Sequence, residues 1–293
     1  MRTTRWATLA LLLVTATWGS TFILIKDLLD RVPTLDFLAL RFAIAAAAMM
    51  IVAPRAIARL SSQTRRRGVI VGLIYGLAQI LQTEGLAHTD ASVSGFITGM
   101  YVVLTPVIAA VVLRSRIGAV TWCAVAVATV GLGFLSLRGL SIGIGESITF
   151  ASAILYAVHI VALSAWSTAR DAYGLAVIQM AVIAAMCFAA TGWNGMVLPD
   201  DAADWVSVVY MAVVAGAIAM LAQTWAQAHL PATRAAIIMT MEPVFAATFA
   251  IALGDESLTL RVAIGGTFVV AAMLAAELAP RRKIEAEVPH LGQ

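Results

Sequence analysis

The stretches ASVSGFITGMYVVLTPVIAAVV, residues 91–112, and ATRAAIIMTMEPVFAATFAIAL, residues 232–253, decide how this chain is read. Each carries a proline in its interior, Pro106 in one and Pro243 in the other, among residues that are mostly apolar or small. At 1.5 Å per residue, about 20 residues of helix cross the roughly 30 Å hydrocarbon core of a bilayer, and both stretches reach that length. A proline removes an intrahelical hydrogen bond and kinks the helix. In lipid that defect survives only where neighbouring helices or a wet cavity satisfy the freed carbonyl. The other prolines, Pro33, Pro54, Pro199, Pro231, Pro280 and Pro289, sit in loops or at span ends. Pro106 and Pro243 therefore mark static kinks or hinges, in two corresponding spans, one helical turn out of register.

Eight more apolar runs lie outward from these two. With them the candidate spans are 6–25, 36–53, 69–87, 91–112, 118–137, 146–166, 173–192, 205–226, 232–253 and 261–279. The composition agrees: 61% of the 293 residues are apolar, 12% are charged, and the mean hydropathy is +0.94. Soluble domains average about 45–50% apolar and about 25% charged. Nineteen basic and 16 acidic side chains cannot cover a water-soluble globule of this length. An ordinary soluble enzyme, a disordered chain and a nucleic-acid-binding domain are excluded, and an all-α polytopic membrane protein is expected. Strand-type alternation is missing from the runs, which argues against a β-barrel.

Smaller signals are consistent with this. The net charge of +3 is low and its basic residues form no single patch, so no nucleic-acid partner is implied. Cys123 and Cys187 both lie in apolar runs and read as small buried hydrophobes, not as a disulfide or metal framework. The four histidines are too scattered for a metal cluster, and no cofactor is expected. Lys26 and Lys283 are the two lysines and neither is mid-membrane, which excludes a retinal-type Schiff base. Arg2 and Arg5 before an apolar stretch imitate a signal peptide, but Phe22-Ile23-Leu24-Ile25 continues the run, so the first span reads as uncleaved.

Loop charge sets an orientation. With odd spans running outward, one side holds 14 basic residues, among them Arg65, Arg66, Arg67, Arg114 and Arg170. The other side holds four, Lys26, Arg31, Arg138 and Arg261, with Arg41 inside a span. The positive-inside rule then places both termini in the cytoplasm, which requires an even number of spans.

The chain also repeats itself. At a shift of 138 residues Trp18 meets Tyr156 and Arg41 meets Gln179. At 141 Gln82 meets Gln223 and His88 meets His229, and at 139 the fifth span overlays the tenth. Five spans per half is an odd number, so the second half enters from the opposite side. The expected organisation is a first five-helix repeat over 1–140, a second, inverted one over 141–280, and a short tail over 281–293. Inverted repeats of this kind are the architecture of many secondary transporters.

Polar side chains at helical spacing mark which faces could line a cavity. The third span has Tyr75, Gln79 and Gln82; the fourth has Ser94, Thr98, Tyr101 and Thr105; the sixth has Ser152, Tyr156 and His159. The eighth has Gln223 and Gln227, the ninth Met239 and Glu242, and the first Thr15, Trp18 and Phe22. A central cavity lined by spans 1, 3, 4, 6, 8 and 9 follows. The alternative for any one serine, threonine or glutamine is interhelical glue. Gly72-x-x-x-Gly76 and Gly95-x-x-x-Gly99 read as close-packing faces, and Trp6 and Trp205 as interfacial belt residues. Intramembrane charge is the sharper signal because it is costly. Glu242, mid-span beside Pro243, reads as a paired structural glutamate or as a contact for a substrate amine or a coupling proton. Arg41 reads as snorkelling or bonding a backbone carbonyl. Glu84 and Glu277 lie near span ends.

Trp18-Gly19-Ser20, Pro33 with Arg41, Met241-Glu242-Pro243-Val244-Phe245, and Leu253-Gly254-Asp255-Glu256 followed by Gly265-Gly266 resemble the EamA-type drug/metabolite transporter superfamily. The resemblance runs over nearly the whole chain as two five-helix repeats. Arg114-Ser115-Arg116 departs from it, because the first repeat lacks the acidic residue found at Glu256 in the second. The resemblance implies an inner-membrane carrier or exporter of small metabolites, most similar to bacterial exporters of aromatic and other neutral amino acids. It implies a small-molecule substrate and a lipid bilayer as partners, with protons as a candidate coupling ion. A cavity with aromatic rings and glutamines suits an amino acid, and equally a purine, a sugar or a cationic drug. An intramembrane enzyme would need a nucleophile with a base, a metal cluster or a cofactor pocket, and no such constellation stands in the sequence. A receptor or scaffold would need an output domain that the loops are too short to hold.

Overall fold

The computed structural model describes residues 2–89, 91–114, 117–136, 143–191, 195–253 and 258–278. Gly254–Glu256, Ser115 with Arg116, the Glu277 side chain and the tail after Pro280 lie outside the described residues. Among the described residues all regular structure is helical. The first three spans are α1 (Arg2–Leu29), α2 (Thr34–Val52) and α3 (Ser62–Ala87). The fourth is divided into α4 (Ala91–Gly99) and α5 (Tyr101–Val112), and the fifth is α6 (Ala119–Ser136). The second half begins with α7 (Ile144–Trp166) and α8 (Ala172–Thr191). Its third span is α9 (Ala202–Ala212), a π-helical segment (Val213–Ile218) and α10 (Ala219–Gln227). Then come α11 (Ala232–Met239) with α12 (Met241–Leu253), and α13 (Leu260–Leu278).

Ties between connections show how the spans alternate. The α1–α2 connection is bound to the start of α9, where Arg31 donates to Asp204 at 2.6 and 2.9 Å. On that same face Thr89 donates to Glu146 at the start of α7 (2.7 Å), and the Val197 amide donates to Asp36 at the start of α2 (2.9 Å). On the other face Tyr173 at the start of α8 donates to the Met49 carbonyl at the end of α2 (2.8 Å). α1 therefore begins on one face and α7 on the opposite one, which makes the two five-span halves inverted copies. The pairings respect this: α2 packs on α8 and α6 on α13, each against its own counterpart, while α3 on α7 mirrors α10 on α1.

Small residues set the closest approaches. A Cβ on Gly131 of α6 would lie 2.8 Å from the Gly265 carbonyl of α13, so only glycine lets these two helices touch. A Cβ on Gly19 of α1 would lie 2.8 Å from the Ala246 amide nitrogen and 2.9 Å from the Glu242 carbonyl in α12. Leu13, Ile51, Val111 and Val206 are exposed, an arrangement that water penalises and acyl chains do not. Six helical segments among the described residues are both long and apolar enough to cross a bilayer.

The helices correct the expected boundaries in three places. α3 starts at Ser62, not 69, because Ser61 caps it (Ser61 Oγ accepts from the Thr64 amide at 3.0 Å) and the run Arg65–Arg67 is helical. The fourth and ninth spans are interrupted at Met100 and Thr240, 140 residues apart, and not at their prolines. Pro106 sits inside the continuous helix α5, while Pro243 is the third residue of α12. With no N–H, Pro243 cannot bond the Met239 carbonyl, and the Thr240 amide instead shares the Ala236 and Ile237 carbonyls, both at 3.2 Å. The π segment in the eighth span is the third difference, and its extra residue leaves no apolar-pattern signal.

Candidate functional site

One cavity lies between the halves, walled by the second half of α1, Arg41 of α2, the second half of α3, and residues on either side of the two interruptions. From the sequence-predicted set, Trp18, Tyr75, Gln79, Gln82, Thr98, Tyr101, Tyr156, Met239 and Glu242 line it. The cavity volume is about 60 Å³, several times the about 10–15 Å³ that one water needs. Thr98 and Tyr101 flank the break at Met100; Met239 and Glu242 flank the break at Thr240. The offset of 141 maps the first pair onto the second, so both broken spans present the same two positions to the cavity.

The aromatic and amide side chains form one connected wall. The Tyr156 hydroxyl donates to Gln82 Oε1 at 2.6 Å, and Gln82 Nε2 donates to Thr98 Oγ1 at 3.3 Å. Gln79 Nε2 donates to the Tyr75 hydroxyl at 3.0 Å. The Tyr75 ring meets Tyr156 edge-on at 5.9 Å and Phe42 edge-on at 6.5 Å. This fixes the ring planes and leaves one face of the wall to a guest.

The end of α9 and the π segment supply the acceptors that hold the charged and indole groups. A wider π turn releases carbonyls from the regular ladder. Met211 O accepts from Arg41 Nε at 3.2 Å, and Ala215 O accepts from Trp18 Nε1 at 2.9 Å. Arg41 also rests beside the Phe42 and Phe37 rings, its Cζ 5.3 and 5.9 Å from their centroids. Among the described residues no ion pair or hydrogen bond holds the Glu242 carboxyl, and Arg41 makes no ion pair with it. A guanidinium and a carboxyl group thus share one cavity without touching each other. Glu242 is the second residue of α12, where free helix amides favour negative charge.

Three expected lining residues are elsewhere. His159 is wholly buried, its Nε2 2.7 Å from Gln179 Oε1 and its ring stacked on the back of Tyr75 at 4.8 Å. Gln223 donates to Gln227 Oε1 at 3.1 Å, and Gln227 donates to the Ile160 carbonyl and Ser164 Oγ, both at 3.0 Å. All three lie behind the wall, so the eighth span lines nothing and the second span, through Arg41, takes its place. Helical spacing finds a polar face but not whether a neighbour or a void meets it. Ser94 and Thr105 are likewise wholly buried, and Ser152 is satisfied by the Thr149 carbonyl at 2.7 Å. Arg41 itself was visible as intramembrane charge; Thr21, three residues after Trp18, and Thr83, four after Gln79, also stand on the wall, on faces the ladders already marked. Among the described residues no group of three or more His, Cys, Asp or Glu could hold a metal ion.

Comparisons agree with this architecture. Residues 5–137 and 143–276 each match the model of the EamA-like transporter family. The chain is 29% identical over 274 residues to an uncharacterized transporter of Archaeoglobus fulgidus, covering 93% of this chain and 86% of that one. A solved structure described only as the crystal structure of a protein superposes with a TM-score of 0.79 at 17% identity, over 94% of this chain and 98% of the other.

Proposed function

The chain belongs to the EamA-like transporter family, and we propose that it is an alternating-access exporter of aromatic and other neutral amino acids. One observation carries the substrate class: Arg41 and Glu242 face the same aromatic-walled cavity and are not paired with each other. A zwitterion offers a carboxylate to the guanidinium and an ammonium to the glutamate, and its side chain meets Tyr75, Tyr101, Tyr156 and Trp18. A guest with one charge leaves the other partner desolvated, which costs more than a missing apolar contact. The amide and hydroxyl chain from Tyr156 to Thr98 supplies further hydrogen bonds. Glu242 is also the group that would carry a coupling proton. The positive-inside count supports both termini on the cytoplasmic side, and a bacterial inner membrane is the placement the family resemblance implies. Repeats over 1–140 and 141–280 rock about the broken fourth and ninth spans, with Pro106 and Pro243 in their second segments.

Reconstitution in liposomes tests this reading. Saturable counterflow of labelled phenylalanine is expected, inhibited by neutral amino acids and far less by the matching amine or carboxylic acid. A panel in which a purine, a sugar or a cationic drug competes and neutral amino acids do not overturns the substrate class. A receptor or scaffold gives no flux at all.

A further inference from the structure

The cavity is built mainly by the first half, and five of its first-half members have second-half counterparts that are sealed. At the shift of 138 Arg41 maps to Gln179 and Thr21 to His159; at 141 Gln82, Thr83 and Leu86 map to Gln223, Thr224 and Gln227. Each first-half member lines the cavity, toward the face that carries the α1–α2 and α3–α4 connections. Each second-half member is buried to within 1% of complete and lies toward the opposite face, near the α7–α8 and α10–α11 connections. Inversion of the repeats requires that reversal of side. Trp18 with Tyr156, Thr98 with Met239, and Tyr101 with Glu242, closer to the axis, line the cavity from both halves.

The sealed set is chemically unlike a permanent core. Three glutamines, a histidine and a threonine are held there by two short sets of bonds. His159 meets Gln179, Gln179 Nε2 approaches Thr224 Oγ1 at 3.5 Å, and Gln223 meets Gln227. The set still leaves His159 Nδ1 and Gln223 Oε1 with no partner. Buried polar atoms without partners are costly, and apolar side chains of similar volume avoid that cost. Groups that are hydrated during part of a cycle explain both their polarity and the incomplete bonding.

We infer that the cluster His159–Gln179–Gln223–Thr224–Gln227 is a second vestibule, closed in this structure, that opens to the opposite face when the first-half cavity closes. Gln227 is its latch, because its amide ties α10 to the Ile160 carbonyl and to Ser164 of α7. Its counterpart Leu86 makes no such tie, which leaves the first-half cavity open. The inference rests on the reading that the protein alternates between two facing states.

The test uses the full chain with Cys123 and Cys187 replaced by alanine, and needs no substrate. Thr83→Cys reports on the open cavity and Ser164→Cys on the sealed cluster, each by its rate of reaction with a small cationic methanethiosulfonate. Gln227→Leu, which installs the first-half residue, is expected to speed modification at Ser164→Cys about tenfold and to slow it at Thr83→Cys, the population shift expected when side-chain hydrogen bonds are lost. Gln179→Ala is a second variant, for use if Gln227→Leu fails to fold, and the same reciprocal change is expected of it. Rates that rise at both sites report general loosening and overturn the inference, as do rates that change at neither. Wild-type liposomes that carry saturable flux while the reciprocal change fails sink the vestibule and leave the transport reading intact. A reciprocal change in a protein that moves no metabolite does the reverse.

Discussion

Helix α3 and the span made of α9, the π segment and α10 hold matching places in the two halves, yet they serve the site in different ways. α3 is regular and contributes side chains: Tyr75, Gln79, Gln82 and Thr83 all reach the cavity. At Tyr75's counterpart the second half has Gly216, inside the π segment, and contributes backbone: the Met211 and Ala215 carbonyls that anchor Arg41 and Trp18. A duplicated frame has thus been divided into a wall and a mount. Matching positions predict where a helix runs but not which of its atoms does the work.

The largest effect should come from the pair Tyr101 and Glu242, equivalent positions of unlike chemistry. Glu242→Gln is expected to cut flux about 30-fold or more, since losing one member of a desolvated charge contact costs about 2–5 kcal/mol. Tyr101→Phe, at the same place in the other half, should cost far less. Counterflow in liposomes measures both, and equal losses would erase the distinction between the halves. Next in size is Gly19, whose counterpart Ala157 already carries a methyl in a fully buried site. Gly19→Ala pushes a Cβ against the backbone of α12 and should lower stability by about 1–3 kcal/mol, while Ala157→Gly should cost about 1 kcal/mol. Thermal unfolding in detergent compares them directly.

Gln82 and Gln223 sharpen the comparison further. Gln82→Leu removes the acceptor of the Tyr156 hydroxyl and should raise KM about fivefold, the size of one net hydrogen bond. Gln223→Leu leaves the cavity wall untouched, so KM measured from the cavity side should hold, while the thermal midpoint falls slightly because Gln227 Oε1 loses its donor. A matching rise in KM for both would place Gln223 on the wall after all. The smallest effect belongs to Arg31, which ties the α1–α2 connection to Asp204 on one face, whereas Ala169 and Gln63 stand at the counterpart positions on the other. Arg31→Gln should weaken that face slightly in low salt and not measurably in high salt, because exposed ion pairs are weak and screened.

The ten spans, their inversion and the pairing of the fourth with the ninth were all readable from hydropathy, loop charge and period, because each reflects transfer of a long segment into lipid. The interruptions at Met100 and Thr240 were not, since proline advertises a defect without fixing where the ladder opens. Arg41 was seen as intramembrane charge and read as snorkelling or bonding a backbone carbonyl. Its bond to Met211 O agrees with that, and its seat on the cavity depends on a tertiary turn that no local pattern encodes. His159, Gln223 and Gln227 show the same limit from the other direction: the face was right and what it faced was not.

The π segment also sets a strict length requirement. Deleting one residue from 213–218, Val214 for example, would restore an ordinary ladder. It would also turn everything before it by about 100° relative to α10. Arg41 would lose its carbonyl seat and Asp204 would swing away from Arg31 in the same stroke. A substitution can be absorbed there; a change of chain length by one would unship both α9 anchors together.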